Sequence, residues 1–122
     1  MEHTAKSIRP FLGAKNFELS RRFYQNWGFQ ETVLSPDLSV FKLNQIAFYL
    51  QHAYVKDWID NTMIFLEVDN VERYHQELSA IDLSSKYDGV KISAVRTEDW
   101  GKEFFLHDPS GILWHIGEFQ TT

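Results

Sequence analysis

Apolar and polar positions along this chain change period in an order that repeats. Residues 8–14 (Ile-Arg-Pro-Phe-Leu-Gly-Ala) form a short apolar run of strand length. Pro10 has no N–H to give to a ladder, which places that strand at a sheet edge or in a crossing between subunits. Asn16 is suited to cap a helix, and beyond it Leu19, Phe23 and Trp27 recur at every fourth residue until Gly28 ends the stripe. Strand-length runs follow at residues 30–34, 38–43 and 45–51, separated by Ser35-Pro36-Asp37 and Asn44-Gln45.

A polar connector carrying Trp58 and Ile59 leads to residues 62–68, apolar on both faces and so expected to be a central strand. Asp69 is expected to cap a second helix, with Glu72 completing a capping box and Val71, Tyr74, Leu78 and Ile81 as its buried stripe. Residues 91–96 read as a strand, and a hairpin closes the chain. The order is therefore β-α-β-β-β, twice. Ile46-Ala47-Phe48-Tyr49-Leu50 also echoes Ile112-Leu113-Trp114-His115-Ile116. Such a repeat predicts an α+β fold of two tandem βαβββ modules, about residues 8–52 and 62–119. Neither small sheet buries a face alone, so the two side by side form a cup-shaped mixed sheet with helices on its convex side.

Length adds that 122 residues make one domain. No apolar run reaches the roughly 20 residues of a membrane span, and residues 1–6 lack the apolar core of an export signal, making the cytoplasm the expected compartment. The absence of cysteine excludes disulfides and thiolate metal sites. A net charge of −5 argues against nucleic acid and suits a cationic ligand. Aromatic residues make up 16%, more than packing alone calls for, and leave rings for a stacking pocket.

The closing hairpin carries the most specific pattern. Asp108-Pro109-Ser110-Gly111 has the residues of a type I turn, and pairing Asp108 with Gly111 would set Phe104 opposite His115. On that count His107 and His115 lie on opposite faces. The run Trp100-Gly101-Lys102-Glu103-Phe104, then Asp108-Pro109-Ser110-Gly111 and a strand, resembles the closing hairpin of the vicinal oxygen chelate superfamily. That superfamily includes glyoxalase I, extradiol dioxygenases and the bleomycin resistance proteins. The last branch fits best, since it too has a histidine at the place of His115. Arg9-Pro10-Phe11-Leu12, Phe23-Tyr24 and Asp60-Asn61-Thr62 extend the resemblance to residues 8–119.

The resemblance implies a homodimer, often with the first strand exchanged, and ligand crevices at its interface. It also allows a test for metal. Metalloenzymes of the superfamily hold a divalent ion with His, Glu or Gln at four positions, which align here with Arg9, Tyr49, Met63 and His115. A guanidinium cannot ligate, and a thioether is a soft donor suited to copper(I) rather than to zinc, nickel or iron. No catalytic residue, metal or cofactor is therefore expected. His3, His52 and His75 are expected at the surface.

What remains is binding. In the resemblance Trp100 matches a stacking tryptophan and Phe65 a crevice aromatic, with His115, Phe104, Leu38, Tyr49, Met63 and Arg9 lining the cup. Thr32, Val33 and Leu38 stand where the drug binders carry an acid and two phenylalanines. The expected function is sequestration of an aromatic antibiotic of the bleomycin type. The alternatives are a glyoxalase-type metal-dependent lyase or dioxygenase, and a binder of another metabolite. Arg9 in the cup would favour an anionic ligand, against the cationic drug, and the sequence leaves both open.

Overall fold

In the computed structural model, which describes residues 1–120, the repeat is realised strand by strand. The first module comprises β1 (Phe11–Gly13), α1 (Phe17–Trp27), β2 (Gln30–Ser35), β3 (Leu38–Leu43) and β4 (Ile46–Gln51). A short helix, α2 (Lys56–Asp60), leads to β5 (Met63–Glu67), α3 (Val71–Ile81) and α4 (Leu83–Lys86). Then come β6 (Lys91–Ile92), β7 (Arg96–Glu98), β8 (Gly101–His107) and β9 (Leu113–Phe119). The sheets run β1-β4-β3-β2 and β5-β9-β8-β6, with β7 also on β8. In each, the first strand pairs in parallel with the last and the other ladders are antiparallel.

Local chemistry accounts for the element ends. Asn16 accepts from the Leu19 amide at 3.1 Å and starts α1; Gly28, at φ 122°, closes it. The second long helix begins one residue later than its sequence suggests. Asn70, not Asp69, caps α3, accepting from the Arg73 amide at 3.0 Å. The expected strand at 91–96 is divided into β6 and β7 by Ser93, whose amide and hydroxyl bond the backbone of Phe105.

Two corrections matter for the cup. The strand at 62–68 is not central: β5 is the edge of its sheet, and its second apolar row, Met63 and Phe65, is exposed. The closing hairpin is also shifted by one residue. Gly111, at φ 105°, takes a bulge position, and the Asp108 amide bonds Ile112 O at 3.0 Å, so the loop holds one residue more than a type I turn paired 108 to 111. Phe104 therefore lies opposite Ile116, and Phe105 opposite His115. Since side chains alternate, Phe104, Leu106, Trp114 and Ile116 take the helix side while Glu103, Phe105, His107 and His115 share the open side.

The core gathers on the helix side from both modules. Phe23, Tyr24, Trp27, Phe41 and Phe48 join Leu78, Phe104, Leu106, Trp114 and Ile116 in one cluster. Tyr24 is its polar centre, donating to Asp108 Oδ2 at 2.7 Å and accepting from Trp114 Nε1 at 3.1 Å. Burial, and then the nearby Asp108 carboxylate, pushes the Tyr24 phenol well above its ordinary value of 10.0. The phenol binds its proton more tightly in the folded than in the unfolded chain. Its contribution is thus fully present below about pH 10 and lost as pH rises above it. The stability advantage of the parent over Tyr24→Phe should accordingly shrink in urea unfolding as pH is raised from 8 to 11.

Candidate functional site

The open side of the β5-β9-β8 sheet presents an aromatic cluster at one end. Trp100 occupies the two-residue loop Asp99-Trp100 between β7 and β8, where Glu98 pairs with Gly101. Its carbonyl accepts from the Gln120 amide at 2.8 Å, tying the loop to the end of β9. Gly101 permits this closeness: a Cβ there would stand 2.0 Å from Glu118 O. The Trp100 ring meets Phe65 at 5.9 Å and Phe119 at 5.5 Å between centroids, and Phe65 lies 5.6 Å from Phe119. Phe65 rests over Gly117, where a Cβ would be 2.9 Å from its Cζ. The three rings remain 36%, 45% and 53% exposed in the order Trp100, Phe65, Phe119. Beside them a cleft of about 340 Å³ is lined by Glu98, Glu118 and Phe119, with Lys102 also on its wall.

Further along the same face, His115 stands between two partners. Its Nδ1 lies 3.1 Å from Glu103 Oε1, and its Nε2 lies 3.5 Å from Met63 Sδ. Phe105 meets the imidazole edge-on at 5.0 Å. His107 lies two positions after Phe105 on this same face of β8, contrary to the pairing expected from the sequence.

The other sheet holds a second group. Phe11 stacks on Tyr49 at 4.7 Å, and Arg9 sits over the Tyr49 ring at 5.8 Å with its Nη1 3.5 Å from the phenol oxygen. Leu38, opposite Gln51 on β4, shares the face of Val40 and Tyr49. Arg9 Nε is buried and has no hydrogen-bond partner. It borders a cavity of about 390 Å³ at the seam between the modules, whose wall includes Lys6, Phe48, Phe65 and Trp114.

Of the residues singled out in the sequence, Trp100, Phe65, Met63 and His115 thus fall on one face, and Arg9, Tyr49 and Leu38 on the corresponding face of the other sheet. Phe104 does not line the cup. It is fully buried on the helix side, against the edge of His75 at 4.8 Å. His75 is itself half-buried, with Nε2 2.9 Å from Ser93 O, rather than free on the surface. Sequence reasoning missed Phe119, Glu103 and Phe105. The alternation 113, 115, 117, 119 along β9 was the signal for Phe119; the other two follow only from the true register.

A divalent ion does not fit what is present. The four aligned positions form two pairs, Arg9 with Tyr49 and Met63 with His115. They offer one imidazole, one phenol, one thioether and a permanent cation, where zinc or iron needs three imidazole or carboxylate donors. Among the described residues no group of three His, Asp or Glu side chains could hold a metal.

No protein-family profile and no curated protein sequence matches the chain. Solved structures do. A bleomycin resistance determinant encoded on the transposon Tn5 superposes with a TM-score of 0.81 at 15% identity, over 96% of this chain and 100% of that one. A bleomycin-binding protein from Streptomyces verticillus, complexed with copper(II)-bleomycin, gives 0.80 at 21% identity over 98% and 100%. A lactoylglutathione lyase from Agrobacterium tumefaciens gives 0.69 at 15% identity over 95% and 96%. The chain has the glyoxalase/bleomycin resistance fold.

Proposed function

We propose that this chain is a cytoplasmic small-molecule binding protein of the bleomycin resistance type, acting as a homodimer without a divalent metal. Its best concrete ligand is an aromatic antibiotic of the bleomycin type, held by sequestration. The observation that carries this reading is the exposed cluster of Trp100, Phe65 and Phe119. Three large rings left in water at one end of a sheet form a ready stacking platform, fixed by Gly101 and Gly117 before any ligand arrives. The net charge of −5 suits a ligand that also carries positive charge. Titration of bleomycin against tryptophan emission is the test: saturable quenching is expected, and a flat titration would remove bleomycin as the ligand.

The dimer rests on the open faces. Phe11 and Met63 are 56% and 62% exposed, on the same sides as the proposed ligand residues. A surface of this kind is what a second copy would cover. Light scattering should therefore return about twice the chain mass of 14.4 kDa. Phe11→Glu, which places a charge in that surface, should shift the particle to the single-chain mass. A monomeric parent protein would remove the dimer from the proposal.

Arg9 favours a second reading. A guanidinium nitrogen buried without a partner at the seam cavity would be satisfied by a carboxylate. On that reading the ligand is an aromatic anion.

A further inference from the structure

The seam between the two modules holds a cavity that shares only Phe65 with the aromatic cluster around Trp100. About 390 Å³ in volume, it has Phe29, Phe48 and Trp114 in its wall, all three buried. Phe48 lies 5.3 Å from Phe29 and 5.6 Å from Trp114 between centroids, so the rings form one continuous apolar surface. Residues 6–10, which lead into β1, supply another part of the wall.

Charge is distributed unevenly here. Arg9 and Lys6 line the cavity, and no acidic side chain among the described residues joins them. In a chain of net charge −5 this is a local reversal of sign. Arg9 Nε is buried without a hydrogen-bond partner, while Nη1 of the same group is turned to the Tyr49 phenol at 3.5 Å. A guanidinium keeps its charge and all its protons in a folded protein, so a permanent donor lacks an acceptor. Its N–H groups form a planar fork that matches the two oxygens of a carboxylate.

We propose that the seam cavity binds an aromatic monocarboxylate of one or two rings. Its carboxylate meets the Nε edge of Arg9, its ring lies against Phe48 and Trp114, and Lys6 adds a second positive charge at the wall. A volume near the lower end of the roughly 300–1,000 Å³ of small-molecule pockets has room for such an acid and none for a molecule of bleomycin's size. The proposal rests on the second reading above, in which Arg9 meets an anion, and adds the place, the size and the acid group. It is independent of drug sequestration at the Trp100 cluster.

Calorimetric titration of naphthylacetate into the full-length protein is the test, with naphthylethanol, the same ring on a neutral tail, as its control. One acid per chain should bind, and the alcohol should bind at least about tenfold more weakly, because a charged hydrogen bond is lost. Arg9→Met, which keeps an unbranched stem beside Tyr49, should weaken the acid by at least about tenfold. Ile46→Trp should do the same. Ile46 stands in the cavity wall and is 44% exposed, so the larger ring takes up the space without disturbing the core. Absence of saturable heat, equal binding of acid and alcohol, or an Arg9→Met variant that binds as the parent does would overturn both the site and the anionic reading. Loss in Arg9→Met and in Trp100→Ala with none in Ile46→Trp would put the anion in the open cup: the anionic reading would stand and the seam site would fall. The comparison of acid with alcohol needs only the parent protein and still decides should a variant fold poorly.

Discussion

Asp108→Ala should lower the melting temperature more than any exposed substitution in the cup. Its side chain is fully buried in the turn after β8. Oδ1 accepts from the amides of Ser110, Gly111 and Ile112, each at 2.9 Å, and Oδ2 accepts from Tyr24. The one carboxylate therefore shapes the turn that sets the β8–β9 register and ties it to α1 of the other module. Burial pushes its pKa up, against the pull of those four donors. Alanine would leave the Ser110 and Ile112 amides and the Tyr24 phenol without that acceptor, while the Gly111 amide keeps the residue-108 carbonyl at 3.1 Å. Buried unsatisfied donors cost about 1–3 kcal/mol each, and partial relaxation brings the total to about 3–5 kcal/mol. At about 4 °C per kcal/mol for a chain of this size, the expected fall is roughly 12–20 °C. Asp108→Asn keeps an acceptor for the amides and loses only the one for Tyr24, so calorimetry should place it between parent and alanine. An alanine variant melting within a few degrees of the parent would show that the turn holds without this network.

How much of this was legible beforehand follows from the kind of interaction involved. The alternation of 3.6- and 2-residue periods gave both modules, and Asn16, Gly28 and Pro10 read correctly because caps and edge strands depend on one residue's own chemistry. The hairpin register did not. It turns on whether Gly111 serves as the last residue of a turn or as a bulge, and glycine accepts either. That single residue moved Phe104 from cup to core and brought Phe105 and Glu103 beside His115. The central position expected for β5 failed for a different reason. Two apolar faces signify burial on both sides, but the second face, Met63 and Phe65, is the exposed surface of an edge strand. The Met63–His115 approach joins residues 52 positions apart, and no local pattern reports it.

Trp100→Ala should weaken ligand binding by about 10- to 100-fold while leaving the fold intact. A stacked ring is worth about 1 kcal/mol beyond the area it buries, and a central anchor more, giving roughly 1.4–2.8 kcal/mol. Stability should change by less than about 1 kcal/mol, because the ring is 36% exposed in a loop whose backbone tie, from Gln120 N to Trp100 O, needs no side chain. A core tryptophan would behave in the opposite way. Trp27 and Trp114, 6% and 3% exposed, should cost several kcal/mol of stability when truncated.

Metal-free bleomycin titrated into Trp58→Phe protein, following tryptophan emission, tests the central claim most directly. Trp58 is 66% exposed, so replacing it leaves Trp100 as the one tryptophan of the chain with substantial access to solvent. The account predicts saturable quenching near one drug per chain, weakened at least about tenfold by Trp100→Ala. Emission and calorimetric heat that both stay flat through the titration, or affinity unchanged by Trp100→Ala, would contradict it.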